Sequence, residues 1–144
     1  MPVLIFDCFG VLVVPRRELS DISESFQNRL EKNEQLLNFI AAKKHEGSKI
    51  AIISNVAQYS FDQLFNKEEQ QLFDEIILSG NEKVSKPDSR IFEIALERLG
   101  EQPENCVMID DAPENIAAAE KLGLRGILYQ DFESFKAELE KLNA

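Results

Sequence analysis

The chain opens with an apolar run that ends abruptly in a carboxylate, followed three residues later by a glycine: Val3-Leu4-Ile5-Phe6-Asp7-Cys8-Phe9-Gly10-Val11-Leu12. Consecutive apolar residues of this kind are typical of a parallel strand that is buried on both faces. The strand is expected to deliver its last side chain, Asp7, to the edge of a sheet. Asp7 is therefore the first candidate for chemistry.

The rest of the chain alternates short strand patterns with helical patterns. Helical spacing predicts helices over 18–30, 36–47, 55–65, 91–99, 113–122 and 132–142, and β-branched or apolar runs predict strands at 50–53, 75–79, 106–109 and 125–128. This alternation predicts a parallel sheet with right-handed crossovers. The expected fold class is α/β, a Rossmann-like three-layer sandwich with a five-stranded parallel sheet and helices on both faces. Residues 11–14 are expected to form a small flap, and 81–88 a polar loop.

Length and charge narrow the classes of partner. The chain has 144 residues, which fits one domain, and its 16 Lys and Arg against 26 Asp and Glu give a net charge of −10. An acidic protein repels a polyphosphate backbone, so no nucleic-acid partner is expected. No apolar run approaches the roughly 20 residues of a membrane span, and no leader pattern follows Met1. We therefore expect no membrane association and a cytoplasmic location, where Cys8 and Cys106 are reduced and buried.

The candidate polar residues all follow predicted strands or lie in the loop after the third one. In an open α/β sheet, ligands bind at the carboxyl ends of the strands. Three carboxylates gathered there repel one another unless a cation holds them, and an oxygen-only ligand set favours Mg²⁺ over zinc. A nearby lysine would complete a pocket for an anion that bridges the metal. These candidates are Asp7, Ser54, Asn55, Lys86, Asp110 and Asp111.

At these residues the sequence resembles the haloacid dehalogenase-like (HAD) hydrolase superfamily. The first motif is matched by 5–12, the second by 52–55, the third by 86–88 and the fourth by 108–111 with 113–115. Each piece alone is weak evidence. Four pieces in the family's order, each at its expected place on a strand or loop, form a strong pattern that covers nearly the whole chain.

The resemblance implies a role for each matching position. Asp7 would be the nucleophile that forms a covalent aspartyl intermediate, Ser54 would hold oxygens of the transferring group, and Lys86 would offset negative charge. The family pattern also implies substrate contacts from Phe9, Gly10 and Asn55. Magnesium would be bound by Asp7, the Phe9 backbone carbonyl, Asp110 and Asp111. Asn115, which stands where the family often has a further acid, would orient a ligand or water.

Phe9 is the main departure from the phosphatase pattern. The phosphatases of the family carry a second aspartate there, which protonates the leaving oxygen and then activates water. General acid–base help is worth about 10²- to 10⁴-fold in rate, so activity should be limited to good leaving groups. The dehalogenase branch carries an aromatic residue at this position and uses no metal. Phe9 therefore favours a dehalogenase-type C–X hydrolase, while Asp110 and Asp111 favour a magnesium-dependent phosphatase.

A second departure is the small size of the chain. Many relatives insert a cap domain between the first two motifs, whereas here only 13–48 intervene, leaving at most a vestigial one-helix cap around 15–31 on a single core domain, 1–144. An open site admits a small phosphorylated substrate or a phosphoprotein, and a homodimer would be one way to cover it.

Several other interpretations stay open. A catalytically weak or inactive binding or regulatory domain would explain Phe9, Asn115 and the missing cap together. Asp111 fits the N-cap of a helix with Glu114 at its third position, and Ser54 or Asn55 could cap the helix that follows them. A phosphorelay receiver is excluded because its acidic pair belongs on the first strand.

Overall fold

The computed structural model describes residues 1–15 and 30–143 as alternating strands and helices. The strands are β1 (Val3–Phe6), β2 (Val13–Pro15), β3 (Leu30–Lys32), β4 (Ile50–Ser54), β5 (Glu75–Leu78), β6 (Cys106–Asp110) and β7 (Arg125–Leu128). The helices are α1 (Glu34–His45), α2 (Gln58–Leu64), α3 (Lys67–Gln70), α4 (Ser79–Glu82), α5 (Ser89–Leu99), α6 (Pro113–Lys121) and α7 (Phe132–Asn143), with a 3₁₀ turn at Pro103–Asn105.

Five of the strands form one parallel sheet in the order β5-β4-β1-β6-β7. β1 lies at its centre, with Phe6 opposite Ile52 of β4 on one side and Ile109 of β6 on the other. The chain builds the β4 and β5 side first and then crosses to β6 and β7. The strand order therefore reverses between β1 and β6, and the crevice outside their carboxyl ends is where such sheets bind ligands.

β1 packs helices on both of its faces. Its side chains alternate, so that Leu4 and Phe6 join one apolar cluster while Val3 and Ile5 join the other. The first cluster includes buried residues of α1, α2 and α7, and the second includes those of α5 and α6. Burying each large apolar side chain contributes about 1.5–3 kcal/mol. The predicted three-layer α/β sandwich is confirmed.

The helices that flank the sheet begin and end at local sequence features. The Asn33 side chain accepts a hydrogen bond from Leu36 N at the start of α1, which is an N-cap. Gly47 follows the end of α1 with a φ of 98°, and Gly100 ends α5 with a φ of 67°. Both glycines adopt the left-handed conformation that ends many helices. The end of α5 agrees with the predicted helix over 91–99, whereas α1 spans 34–45 rather than the predicted 36–47.

Several elements differ from those predictions. β2 and β3 form a small antiparallel pair, in which Leu30 lies opposite Pro15. The predicted helix over 18–30 falls on residues that lie outside the described part of the chain, except for Leu30, which belongs to a strand because it pairs with β2. The short helices α3 and α4 were not predicted, and α2 begins at Gln58 rather than at Asn55. Helices of four residues are too short to produce a periodic pattern.

Over 1–15 and 30–143, none of the helices combines the length and the apolar composition that crossing a bilayer requires.

Candidate active site

Lys86 connects the two strands that flank the crevice. Its Nζ lies 2.7 Å from Asp7 Oδ1 and 2.7 Å from Asp110 Oδ2, and its side chain is only 1% exposed. Asp7 follows β1, where its backbone N–H donates to the Ile109 carbonyl, and Asp110 is the last residue of β6. One buried ammonium group is thus shared by two buried carboxylates.

Asp110 is held by three donors. Lys86 Nζ and Asn115 Nδ2, at 3.1 Å, both donate to its Oδ2, while the Ala112 backbone N–H donates to Oδ1 at 2.9 Å. Asn115 projects from the first turn of α6, whose N-cap is Ala112. The alternative interpretation of Asp111 as that N-cap is therefore wrong. Asn115 orients Asp110 without adding charge.

Asp111 lies at the exposed rim of the site, against Gly10. Gly10 has a φ of 90°, and a Cβ atom built there would collide with the Asp111 carboxylate. A residue without a side chain is therefore needed at position 10, both for backbone conformation and for space. One carboxylate oxygen from each of Asp7, Asp110 and Asp111 lies within 4.8 Å of the other two.

Ser54 and Asn55 come from the end of β4. Ser54 is fully buried, and within the described residues its hydroxyl has no nitrogen or oxygen hydrogen-bond partner; its polar neighbour is the Cys8 thiol, a weak hydrogen-bonding group. Asn55 bonds to the backbone of Lys86 in two places. Neither residue caps α2, because the N-cap of that helix is Ala57, which makes no side-chain bond. The Ser54 hydroxyl is left available to an anion.

These residues enclose a cleft of about 140 Å³ at the carboxyl end of the sheet. The partly exposed Phe9 contributes to one wall. Gly10 does not line the cleft; its N–H donates to the Val13 carbonyl and it packs beneath Asp111. The other predicted residues are brought together, and the lining consists of Asp7, Phe9, Ser54, Asn55, Lys86, Asp110, Asp111, Ala112 and Asn115.

The electrostatics of the cleft follow from burial and from its own charges. Burial raises the pKa of Asp7 to about 7 against the attraction of Lys86, and the Asp110 charge adds to the rise. Burial, followed by the charge of Asp110, also raises the pKa of Asp111. Burial raises the pKa of the Cys8 thiol to about 12, with the neighbouring Asp7 charge contributing. The thiol therefore stays protonated at neutral pH and is not a nucleophile.

The donor set fits a magnesium ion. Three carboxylates and one lysine line the cleft, and the lysine pairs with Asp7 and Asp110. Negative charge is therefore in excess at the exposed side, where Asp111 lies. Hard oxygen ligands of this kind are the ones that Mg²⁺ prefers. After its three hydrogen bonds, Asp110 keeps one lone-pair position on Oδ1. A metal would therefore reduce a repulsion that the protein alone does not balance.

A family model described as haloacid dehalogenase-like hydrolase matches residues 32–123, well over half of the chain. The chain therefore belongs to the haloacid dehalogenase-like hydrolases. The predicted family is confirmed, and the protein is a hydrolase by class.

Curated relatives of this chain include phosphatases. The sesquiterpene phosphatase of Aspergillus oryzae is 27% identical over 85% of this chain and 65% of its own length. The glyceraldehyde 3-phosphate phosphatase of Methanothermobacter thermautotrophicus is 34% identical over 59% of this chain and 38% of its own. The mouse acyl-CoA dehydrogenase family member 10 is 33% identical over 75% of this chain, which matches only 10% of that protein. The chain thus spans less than two thirds of the length of these relatives.

Among solved structures, a HAD family enzyme from Bacteroides thetaiotaomicron, in complex with magnesium and inorganic phosphate, has a similar fold. The match has a TM-score of 0.73 at 17% sequence identity and covers 94% of this chain and 98% of that one. At this level of identity the likeness concerns the fold.

Two features of the site were not found by sequence reasoning. Ala112 contributes a backbone N–H to Asp110, and no side chain marks that role. The pairing of the Asn55 amide with the Lys86 backbone joins residues that are 31 positions apart. An Asp followed two residues later by a helix start is a common turn pattern and would have been a usable sign for Ala112.

Proposed function

We propose that this protein is a magnesium-dependent phosphatase that uses Asp7 as a covalent nucleophile and acts on small phosphorylated substrates with good leaving groups. The observation that carries the proposal is the position of Asp7. Its carboxylate is buried at the crevice, 2.7 Å from the Lys86 ammonium group. One oxygen from each of Asp110 and Asp111 lies within 4.8 Å of an Asp7 oxygen, close enough for the three carboxylates to bind one metal ion. The phosphatases among its relatives support a phosphoryl substrate. Two (S)-2-haloacid dehalogenases are also among the relatives, so it is the cluster of three carboxylates that favours a metal-dependent phosphatase over a haloacid hydrolase.

The proposed reaction proceeds in two displacements. A carboxylate oxygen of Asp7 bonds to phosphorus as the bond to the leaving oxygen breaks, and the electron pair of that bond departs with the leaving group. Water then attacks phosphorus, which regenerates Asp7 and releases inorganic phosphate and a proton. Lys86 has three N–H donors, of which two go to Asp7 and Asp110, so one can reach a phosphoryl oxygen. The Ser54 hydroxyl would donate to another.

Asp7, Asp110, Asp111 and the Phe9 carbonyl would hold Mg²⁺. When bound, the ion would supply positive charge to the transferring phosphoryl group and to the carboxylates around it. Asn115 would keep Asp110 oriented for this role.

Phe9 limits the leaving groups. Phe9 lines the cleft and has no acidic group that could protonate a departing alkoxide. Without that proton, acyl and aryl phosphates should react while alkyl and sugar phosphates react slowly, by about 10²- to 10⁴-fold.

The direct test measures hydrolysis of acetyl phosphate and p-nitrophenyl phosphate, with and without Mg²⁺, by the wild type and by Asp7→Asn. We expect turnover that requires both Mg²⁺ and Asp7. Equal rates in the two proteins would show that Asp7 is not the nucleophile.

A dehalogenase-type hydrolase is the second candidate, because Phe9 provides no acid and a halide needs none. This second candidate predicts that the protein hydrolyses 2-haloacids at a rate that a metal chelator does not change. A catalytically weak binding domain remains the alternative if neither substrate class is turned over. We also propose a vestigial cap around 15–31 and a homodimer that covers the cleft. We further propose a cytoplasmic location, with no nucleic-acid or membrane partner.

A further inference from the structure

The catalytic lysine belongs to a loop rather than to a helix or strand. Lys86 lies between the end of α4 and the start of α5, in a segment that contains Lys83 with a φ of 59°. Nevertheless, its Nζ is placed 2.7 Å from one carboxylate on each of two strands. Loops tolerate displacement more readily than the elements they connect. Something outside the loop must therefore fix its backbone.

The side chain of Asn55 makes that connection. Its Oδ1 accepts from the Lys86 backbone N–H at 2.8 Å, and its Nδ2 donates to the Lys86 backbone carbonyl at 3.1 Å. The two bonds mimic the exchange between paired strand residues, with an amide side chain in place of a backbone. Asn55 itself follows Ser54, the last residue of β4, so the loop is tied directly to the sheet.

We propose that Asn55 is a positioning residue that acts through Lys86, holding its ammonium group between Asp7 and Asp110. This inference rests on the proposed function for its kinetic part and deepens it. The Oδ1 atom and one N–H of Asn55 are engaged by the backbone of Lys86, which is the connection through which the side chain would act on the lysine. Aspartate would keep the acceptor but lose the donor and place a negative charge against the Lys86 carbonyl.

Asn55→Ala is the first variant, and Asn81→Ala is the matched control. Asn81 is also an exposed asparagine in the same region, and its Nδ2 bonds to the Gln58 side chain at 2.8 Å without touching the cleft. We expect Asn55→Ala to lower kcat for acetyl phosphate by about 10²-fold with KM within about twofold, as a displacement of roughly 1 Å can do. Asn81→Ala should leave both values unchanged.

A double-mutant cycle with Lys86→Met separates indirect action from direct substrate contact. If Asn55 acts through Lys86, adding Asn55→Ala to the Lys86→Met variant should lower kcat for acetyl phosphate by less than about twofold further. Losses that multiply across the two sites, or a rise in KM alone, would overturn the proposal.

Amide hydrogen exchange at Lys86 tests the connection without any turnover. Loss of the Asn55 acceptor should speed exchange of the Lys86 N–H by about tenfold, which is the equivalent of one hydrogen bond. Unchanged exchange would overturn the proposal, whatever the kinetics. If the wild type hydrolyses no phosphate ester, the proposed function fails, while this measurement still decides whether Asn55 holds Lys86.

Discussion

The two ends of the central sheet differ in how much buried charge they carry. The amino end carries a cavity of about 370 Å³, lined by Met1, Pro2, Leu4, Lys43, Ser48, Leu139 and Asn143. The cleft at the carboxyl end is smaller, about 140 Å³, but its lining gathers three carboxylates and a lysine. Among the described lining residues of the larger cavity, Lys43 is the one ionisable side chain. The density of buried charge, rather than volume, distinguishes the end that carries the candidate active site.

Charge at the carboxyl end also costs stability. Removing a carboxylate or ammonium group from water carries a penalty of several kcal/mol. The attraction between opposite charges offsets this penalty only when every buried charge is paired. At this end one lysine serves two buried carboxylates, whereas Lys43 forms an exposed pair with Glu46 at 3.4 Å. Exposed pairs of that kind contribute about 0–1 kcal/mol. Matched substitutions at the two ends should therefore have very different effects.

The largest difference in the free energy of unfolding is expected between the Lys86→Met and Lys43→Met variants. Removing Lys86 leaves Asp7 and Asp110 without their cation, and breaking a buried pair costs about 3–5 kcal/mol in the free energy of unfolding. The loss should be smaller at pH 5, where a carboxylate can take up a proton. Lys43→Met should change stability by less than about 1 kcal/mol. Urea denaturation with a chelator present checks both, and equal losses would remove the contrast.

A gain of function is expected from Phe9→Asp. The new carboxyl group would stand where a departing alkoxide needs a proton, so hydrolysis of an alkyl phosphate should rise by about 10²-fold. Hydrolysis of p-nitrophenyl phosphate, whose leaving group needs no proton, should rise much less. The ratio of the two rates is the measurement, with Phe9→Asn as the control that has the same shape but no acid. An unchanged ratio would contradict the role given to Phe9.

Asp7→Asn should stabilise the metal-free protein at pH 8. The pKa of Asp7 is about 7 in the folded protein against 3.8 unfolded, so the folded state holds a proton more tightly. Stability therefore falls as the pH rises from about 4 to 7, and an uncharged amide escapes that loss. We expect a gain of about 1–2 kcal/mol, below the ceiling of about 4 kcal/mol set by the full shift.

Near pH 4, Asp7→Asn should leave the free energy of unfolding unchanged, because Asp7 is then protonated in the folded state. Denaturation curves at the two pH values, recorded with a chelator, decide the matter. A gain of equal size at both would mean that packing rather than charge is responsible.

The smallest effect is expected at the amino end, from Ser48→Ala. Ser48 is buried, and its hydroxyl donates to the Met1 sulfur at 3.3 Å, a weak acceptor. The free energy of unfolding should change by less than about 1 kcal/mol, and phosphatase kinetics should stay the same. A tenfold loss of kcat would show that the two ends are coupled, which is the opposite of what the comparison implies.

The sequence predicted the sheet and most of the site because both depend on residue types with strong preferences. The buried run before Asp7 and the two carboxylates at the carboxyl end of β6 are visible in the chain itself. α3 was missed although Asn66 and Glu69 form a capping box, since a four-residue helix without buried residues has no apolar period. The Asn55 connection could not be predicted, because it joins a side chain to a backbone whose position depends on the whole fold.

The contact between Gly10 and Asp111 has a consequence for redesign. Two segments separated by a hundred positions share one small volume, so the identity of residue 10 decides whether the rim carboxylate keeps its place. Any alanine scan, consensus substitution or directed-evolution library that varies position 10 will displace the Asp111 carboxylate of the proposed metal site, even though none of the proposed ligand residues is substituted. Position 10 should be excluded from such libraries, or varied together with position 111.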